Sequence, residues 1–388
     1  MRVLMLHNRY LEPGGEDQSV AAEVALLKDY GCYVELLEED NRRIEQLGKV
    51  RTAARTVWSS ESLQRIELAL RKGNFDVLHV QNFFPLWSPS VYYAASRCSV
   101  PVVQTLRNYR LMCANATFYR DGHVCEDCLG RVMPWAGIVH GCYRGSRAGS
   151  AVIATMIGLH RLTGTWKNRV QVYVALTEFA RDKFIEGGFP AGKITVKPNF
   201  IHPSPQPGSG GGGYALFVGR LGPEKGLSAM LEAWKAANAP LPLKVVGNGP
   251  LAELVKQAEK ASSAIQYLGA KQSDEVMDLM RKAEFTVFPS ECYEGMPRTV
   301  VEAFAAGTPV VASNLGATAS MVVDGKTGFH FAPGDVAALR ARVEWCSRNL
   351  EALRSLRRNA RAAFEEKYTG AANIQALLDI YARARESK

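Results

Sequence analysis

The sequence predicts an α/β protein of two doubly wound, Rossmann-like domains facing a central cleft. Three observations carry this. Short apolar segments alternate with helix-length amphipathic ones, the mark of a parallel sheet covered on both faces. The alternation restarts after Pro203–Gly213, the most Pro/Gly/Ser-rich stretch of the chain. At about 100–200 residues per domain, 388 residues suggest two domains or three, and the restart favours two.

Taken in order, Val3–Leu6 is an apolar strand, followed by the turn Pro13-Gly14-Gly15 and an amphipathic helix near Val20–Tyr30. Tyr33–Leu37, Val77–Val80, Val100–Thr105 and Val170–Leu176 read as further strands, with helices at Tyr92–Arg97 and Glu178–Glu186. The composition of Pro203–Gly213 favours a flexible linker. Beyond it come Tyr214–Val218, Leu243–Val246, Ile265–Leu268, Phe285–Phe288 and Pro309–Ala312 as strands. Gly226–Ala237, Leu251–Ala261, Glu275–Lys282 and Val300–Ala306 are the helices between them, and the tail from Val336 is helical. The expected domains are 1–202, with a Cys-bearing insertion near 107–145, and 214–370. They are joined by 203–213, and a terminal helix over 371–388 packs back on the first domain.

Composition removes whole classes. With 47% apolar and 22% charged residues the chain is neither disordered nor fibrous. Eight Cys are too few for a disulfide scaffold. The opening apolar run is too short for a secretion signal, and Ala151–Leu159 is about half of the ~20 residues that span a bilayer. A soluble protein of a reducing cytoplasm is expected. The net charge of +9 implies an anionic partner, whether nucleic acid, a membrane face or a phosphorylated substrate.

Three constellations carry chemistry. Gly14-Gly15 lies between a strand and a helix, where glycine lets the backbone approach an anion at the helix N-terminus; an ordinary turn explains it equally well. Val218 to Gly226 follows a strand and places Arg220 and Lys225 near a helix start, a pair suited to a diphosphate. Glu294 and Glu302, eight apart, flank Gly295-Met296-Pro297: two carboxylates able to accept from sugar hydroxyls, with backbone N–H groups at Gly295–Arg298 for an anion. A helix that favours Glu in its first turns explains one of these carboxylates and not the run.

With Gly219-Arg220, Glu224-Lys225-Gly226, Gly247-Asn248-Gly249-Pro250, Tyr267-Leu268-Gly269, Glu294-x7-Glu302 and Ala306-Gly307-Thr308-Pro309-Val310, the second half resembles retaining nucleotide-sugar glycosyltransferases of glycosyltransferase family 4, which have the GT-B architecture. The first half resembles them more loosely, through Gly14-Gly15, Ala175-Leu176-Thr177-Glu178 and Pro198-Asn199. The resemblance implies a hexosyltransferase-type transfer, with retention, from a UDP- or GDP-sugar to an acceptor hydroxyl in surface polysaccharide or lipid-linked glycan assembly. It also implies roles. Arg220 and Lys225 would hold the donor diphosphate, and Glu294, with backbone contacts at Gly295, Met296 and Pro297, the donor sugar. Glu302 would hold the ribose, Gly247, Gly249 and Lys271 would lie at the base, and Gly14 and Gly15 would approach the pyrophosphate. Glu294, Arg220 and Lys225 are the expected catalytic set. Where many members carry a His at an N-domain strand end, this chain has Arg107, and His79 is the alternative imidazole.

There is no Asp-x-Asp pair for a donor-bound divalent ion, so metal-independent catalysis is expected. Cys113, Cys125, Cys128 and Cys142 include a C-x2-C pair and suit a structural zinc site; thiols without metal are the equal alternative. From Arg97 to Arg169 there are ten Arg/Lys and three Asp/Glu, interleaved with Tyr109, Phe118, Tyr119, Trp135, Tyr143 and Trp166. That face suits an anionic membrane and a lipid-diphosphate-linked acceptor. The competing readings are a zinc-containing nucleic-acid-binding protein, which leaves Glu294-x7-Glu302 unexplained, and a GT-B relative such as a sugar-nucleotide epimerase.

Overall fold

The structure, a computed structural model, describes every residue except Glu12, Pro13, Ala239 and Lys388. Pro13 of the expected Pro-Gly-Gly turn therefore lies outside the described residues. The chain divides into two units. The first is built from Met1–Phe118, Cys125–His202 and Asn373–Lys388, the second from Tyr119–Val124 and Pro203–Ala372.

The first unit contains β1 (Arg2–Arg9), β2 (Tyr33–Asp40), β3 (Val77–Val80) and β4 (Val102–Leu106). After the hairpin strands β5 (Tyr119–Arg120) and β6 (His123–Val124), which count with the second unit, come β7 (Val172–Ala175) and β8 (Ile194–Val196). Its six strands are parallel in the order β2-β1-β3-β4-β7-β8. The second unit repeats the plan with β9 (Ala215–Val218), β10 (Leu243–Val246), β11 (Ile265–Gly269), β12 (Phe285–Phe288), β13 (Val310–Ser313) and β14 (Gly328–Phe331), ordered β11-β10-β9-β12-β13-β14. Strand order reverses between β1 and β3 and between β9 and β12. In open parallel sheets that reversal leaves a crevice at the strands' carboxyl ends, where ligands bind.

The central strands are largely apolar because helices cover both faces: Val77–Val80 and Phe285–Phe288 are buried at every position, His79 and Thr286 being their polar members. Phe217, Trp234, Val245, Phe285 and Leu339 fill one core. The other takes Val3, Met5, Val172 and Val174 together with Ile374, Leu377, Ile380, Tyr381 and Ala384 of the last helix, Gly370–Glu386.

Three features depart from the sequence reading. The first helix begins at Gly15, not Val20, with Glu16 and Asp17 in its first turn. Helices Arg43–Val57, Ser60–Gly73 and Arg147–Leu162 occupy segments read as unassigned. The glycine-rich stretch is docked, not loose. Gly208 N donates to Ala306 O, Gly210 N to Arg281 O and Gly212 N to Lys282 O, at 2.9, 3.0 and 2.9 Å. A Cβ on Gly208 would stand 2.3 Å from Arg281 O, so glycine serves close backbone approach there.

Candidate active site

In the second unit the loops leaving β9 and β12, the strands beside the order reversal, carry the two main constellations. Lys225 Nζ donates to Glu294 Oε1 at 2.6 Å, and Ser290 Oγ donates to the same oxygen at 2.8 Å. Glu291 N binds Glu224 O at 2.9 Å, which stitches the loops together. Gly226 sits at φ +67°, where a Cβ would lie 1.9 Å from Pro289 O, so only glycine allows this approach. Burial works against both charges of the pair. Glu294 nevertheless raises the Lys225 ammonium above its ordinary value, and Lys225 holds the Glu294 carboxyl below its own.

Arg220 belongs to the same loop, pairs with Glu224 and keeps a side chain 57% exposed. Glu302 lies one turn into the helix Arg298–Ala305, and Arg298 Nε donates to its Oε1 at 2.8 Å. Burial raises its carboxyl pKa despite Arg298. Gly295 and Met296 lie in the turn before that helix, and Pro297 caps it.

Gly247 and Gly249, at φ +140° and +152°, press on the β9 loop: a Cβ on either would stand 1.9 Å from Gly219 O or 2.7 Å from Leu221 O. Lys271 is set apart. It follows β11, the edge strand, and pairs with Glu275 at 3.2 Å.

Tyr119 and Glu291 were not singled out as donor-site residues. Asp121 and Gly122, at φ +50° and +83°, turn the β5–β6 hairpin, and Tyr119 on β5 donates to Pro223 O at 3.3 Å. Burial first, then Glu291 and Glu224, push its phenol up to about 12, so it stays a donor. The Asp-Gly pair was the available signal, and the hairpin's partner was not readable from it.

In the first unit, Gly14 N donates to Asp17 Oδ2 at 2.8 Å, and nothing stands within 4 Å of where a Gly14 Cβ would be. Gly15 opens the first helix beside it. His79 is wholly buried, with Tyr381 OH and Thr105 Oγ1 each 2.8 Å from its ring nitrogens. Burial lowers it to about 4. It is a core imidazole, not a free base. Arg107 donates to Gln81 Oε1 and Asn199 Oδ1, both at 2.6 Å.

The four cysteines, read as a zinc site or as thiols without metal, lie close to one another. Cys113, Cys125 and Cys142 lie around Cys128, whose thiol burial pushes up to about 11. Yet Cys113 Sγ turns to Asn115 Oδ1 at 2.9 Å, and Gly137 N–H binds the Cys128 sulfur. Among the described residues no three His, Cys, Asp or Glu side chains converge to hold a metal ion. Nor, among them, is any helix long and apolar enough to cross a membrane.

Comparison with known proteins agrees with this plan. Residues 204–363 match the family described as glycosyl transferases group 1, and residues 11–199 match the glycosyl transferase 4-like domain. Glycogen synthase of Mycobacterium tuberculosis is 37% identical over 134 residues, 33% of this chain and 32% of its own length. Phosphatidyl-myo-inositol mannosyltransferase of Mycobacterium leprae is 30% identical over 231 residues, 56% of this chain and 61% of its own. The chain thus spans less than two thirds of either relative. Anabaena Alr3699/HepE in complex with UDP superposes with a TM-score of 0.67 at 16% identity, covering 98% of this chain and 100% of that one. The chain therefore has the GT-B fold, and each half is similar to a glycosyltransferase domain. None of these likenesses points to a nucleic-acid-binding protein.

Proposed function

We propose that the chain is a retaining, metal-independent nucleotide-sugar glycosyltransferase of hexosyltransferase type, of glycosyltransferase family 4, acting in surface polysaccharide or lipid-linked glycan assembly. The observation that carries this is the Lys225–Glu294 pair at the carboxyl ends of β9 and β12. A UDP- or GDP-sugar places its diphosphate at Arg220 and Lys225 and its sugar hydroxyls at Glu294. Gly295, Met296 and Pro297 lend backbone contacts, Glu302 holds the ribose, and Gly247, Gly249 and Lys271 border the base.

On transfer the bond from the anomeric carbon to the diphosphate breaks, and one to the acceptor oxygen forms on the same face. The acceptor proton passes to the departing phosphate oxygen. Lys225 and Arg220 neutralise the charge that develops there, the service a divalent ion would otherwise perform. Tyr119 holds the turn that carries Lys225 by its bond to Pro223 O.

A donor panel tests this. Nucleotide release from a UDP- or GDP-sugar should persist in EDTA and fall about 10²-fold in Lys225→Ala. Full activity in that variant overturns the site assignment. NMR of the product anomer tests retention.

The supporting surface for a membrane-borne acceptor is in the first unit. Trp135, Val139 and Leu162 are exposed at 64%, 59% and 75%, and Val132 and Leu159 are exposed as well. Met133 packs on Gly158, and Arg161 donates to Arg131 O at 2.7 Å, which joins the segment before Trp135 to the helix that ends at Leu162. Such a surface suits an anionic bilayer: aromatics favour its interface, and each Lys or Arg near it adds about 1 kcal/mol. Sedimentation with vesicles containing phosphatidylglycerol should bind the chain at low salt, and Trp135→Ala should weaken binding. No binding to those vesicles removes this arm.

A further inference from the structure

The first unit holds a set of cations that donor chemistry does not use. Arg110 Cζ lies 4.6 Å from the Phe84 ring centre and 5.3 Å from that of Tyr143. Arg144 Cζ lies 5.4 Å from the same Tyr143 ring. The two aromatic rings meet edge to face at 6.0 Å. Two guanidiniums therefore share one tyrosine, and among the described residues neither is ion-paired with a carboxylate. The hydrogen-bond partner of the Arg110 side chain is Ala114 O. Burial lowers the Arg110 pKa, and Arg144 lowers it further.

The backbone adds to the imbalance. Arg144, at φ +53°, and Gly145, at φ +70°, lead into the helix Arg147–Leu162, which has Ser146 as its cap and no acidic residue in its first turn. Cations at a helix N-terminus oppose the helix dipole. A half-buried guanidinium without a counter-charge costs free energy that an anion would return.

A second, separate observation concerns hydroxyls. Tyr10 OH donates to Glu16 Oε2 at 3.1 Å, whereas Glu16 Oε1 is buried without a hydrogen-bond partner. Tyr10 is also within electrostatic reach of Arg110. Tyr10 thus links the two groups, bonded to Glu16 and within reach of Arg110, and an open acceptor with unpaired guanidiniums suits a ligand bearing both a hydroxyl and a phosphate.

We infer that Arg110 and Arg144, backed by Tyr143 and Phe84, bind the phosphate or diphosphate of the acceptor, and that Glu16 receives one of its hydroxyls. This rests on the transferase reading and narrows it: the acceptor is a glycan carried on phosphate. Planar guanidiniums suit that group because each can donate two parallel bonds to phosphate oxygens.

Inorganic pyrophosphate is the probe, titrated by calorimetry into the full chain saturated with UDP. One pyrophosphate event should remain in the presence of UDP. It should weaken about tenfold or more in Arg144→Ala, the expected loss for a hydrogen bond to a charged group. Arg144→Lys should restore only part of it. Arg110→Lys probes the more enclosed partner, and the exposed Arg144 keeps the test open if that variant fails to fold. Tighter binding of farnesyl diphosphate than of pyrophosphate assigns a lipid-carried acceptor, and equal binding assigns a soluble phosphorylated one. No event beside UDP, or an event unchanged in both Arg144→Ala and Tyr143→Leu, overturns the site. Failure of UDP itself to bind would sink the donor reading instead, a separate signal in the same titration.

Discussion

At Lys225 and Glu294 two buried charges are tolerable only because each is the other's partner. Removing one should cost more than removing both. Lys225→Met leaves a carboxylate enclosed beside Ser290 and should destabilise the second unit by about 3 kcal/mol. Adding Glu294→Gln should recover most of that, since the amide needs no counter-charge. Urea melts of the two single variants and the double variant decide it, and simple additivity would refute the coupling. The pair also sets a sign with pH. Glu294 titrates lower folded than unfolded. Its contribution is complete above the ordinary carboxylate value and fades as pH falls through the native one. Gly226 is a second pressure point. Gly226→Ala drives a Cβ against Pro289 O in a left-handed backbone and should cost about 2 kcal/mol or more, read as a lower thermal midpoint.

Between elements, the first unit is tied together by a buried polar network. Glu23, on the first helix, accepts from Gln81 Nε2 at 2.6 Å and pairs with Lys197 Nζ at 3.3 Å and His79 Nδ1 at 3.3 Å. Burial lowers His79 to about 4. Glu23 is lowered to about 2: burial opposes the shift, and Lys197 and His79 outweigh it. The unfolded chain therefore takes up protons first, and stability falls as pH drops from about 6.5, the free imidazole value, towards 4. The drop due to His79 is about 3 kcal/mol. In His79→Gln the fall over that interval should shrink, and a profile unchanged from the parent chain would disprove the assignment. How legible these elements were follows from what each buries. Val77–Val80 and Phe285–Phe288 were plain in the sequence because a strand covered on both faces is mostly apolar, with His79 and Thr286 the exceptions. Arg43–Val57 was not, because its apolar positions are few and Gly48 interrupts it. Pro203–Gly213 was misread because glycine used for close approach and glycine used for flexibility look alike in composition. The Lys225 and Glu294 loops were legible as motifs, but the bond between them, and Tyr119 on its hairpin, depend on strand order that spacing alone does not encode.

Over the whole molecule, the chain returns to its first unit after completing the second. Residues from Asn373 onward belong with the opening strands, and Ile374, Leu377, Ile380 and Tyr381 enter the core that holds Val3 and Met5. At about 1.5–3 kcal/mol for each large apolar side chain buried, those four supply roughly 6–12 kcal/mol, comparable with the entire stability of a domain. Tyr381 also satisfies His79, so removing the helix strands a buried imidazole as well. The second unit's core of Phe217, Trp234 and Phe285 owes nothing to this helix. A chain ending at Thr369 should therefore lose hydrogen-exchange protection in β1, β3 and β4 while β9, β10 and β12 keep theirs. UDP binding, which the proposed site draws mainly from the second unit, should outlast the unfolding of the first. Uniform protection in the truncated chain would mean that the first sheet stands without the returning helix, and that the core assignment is wrong.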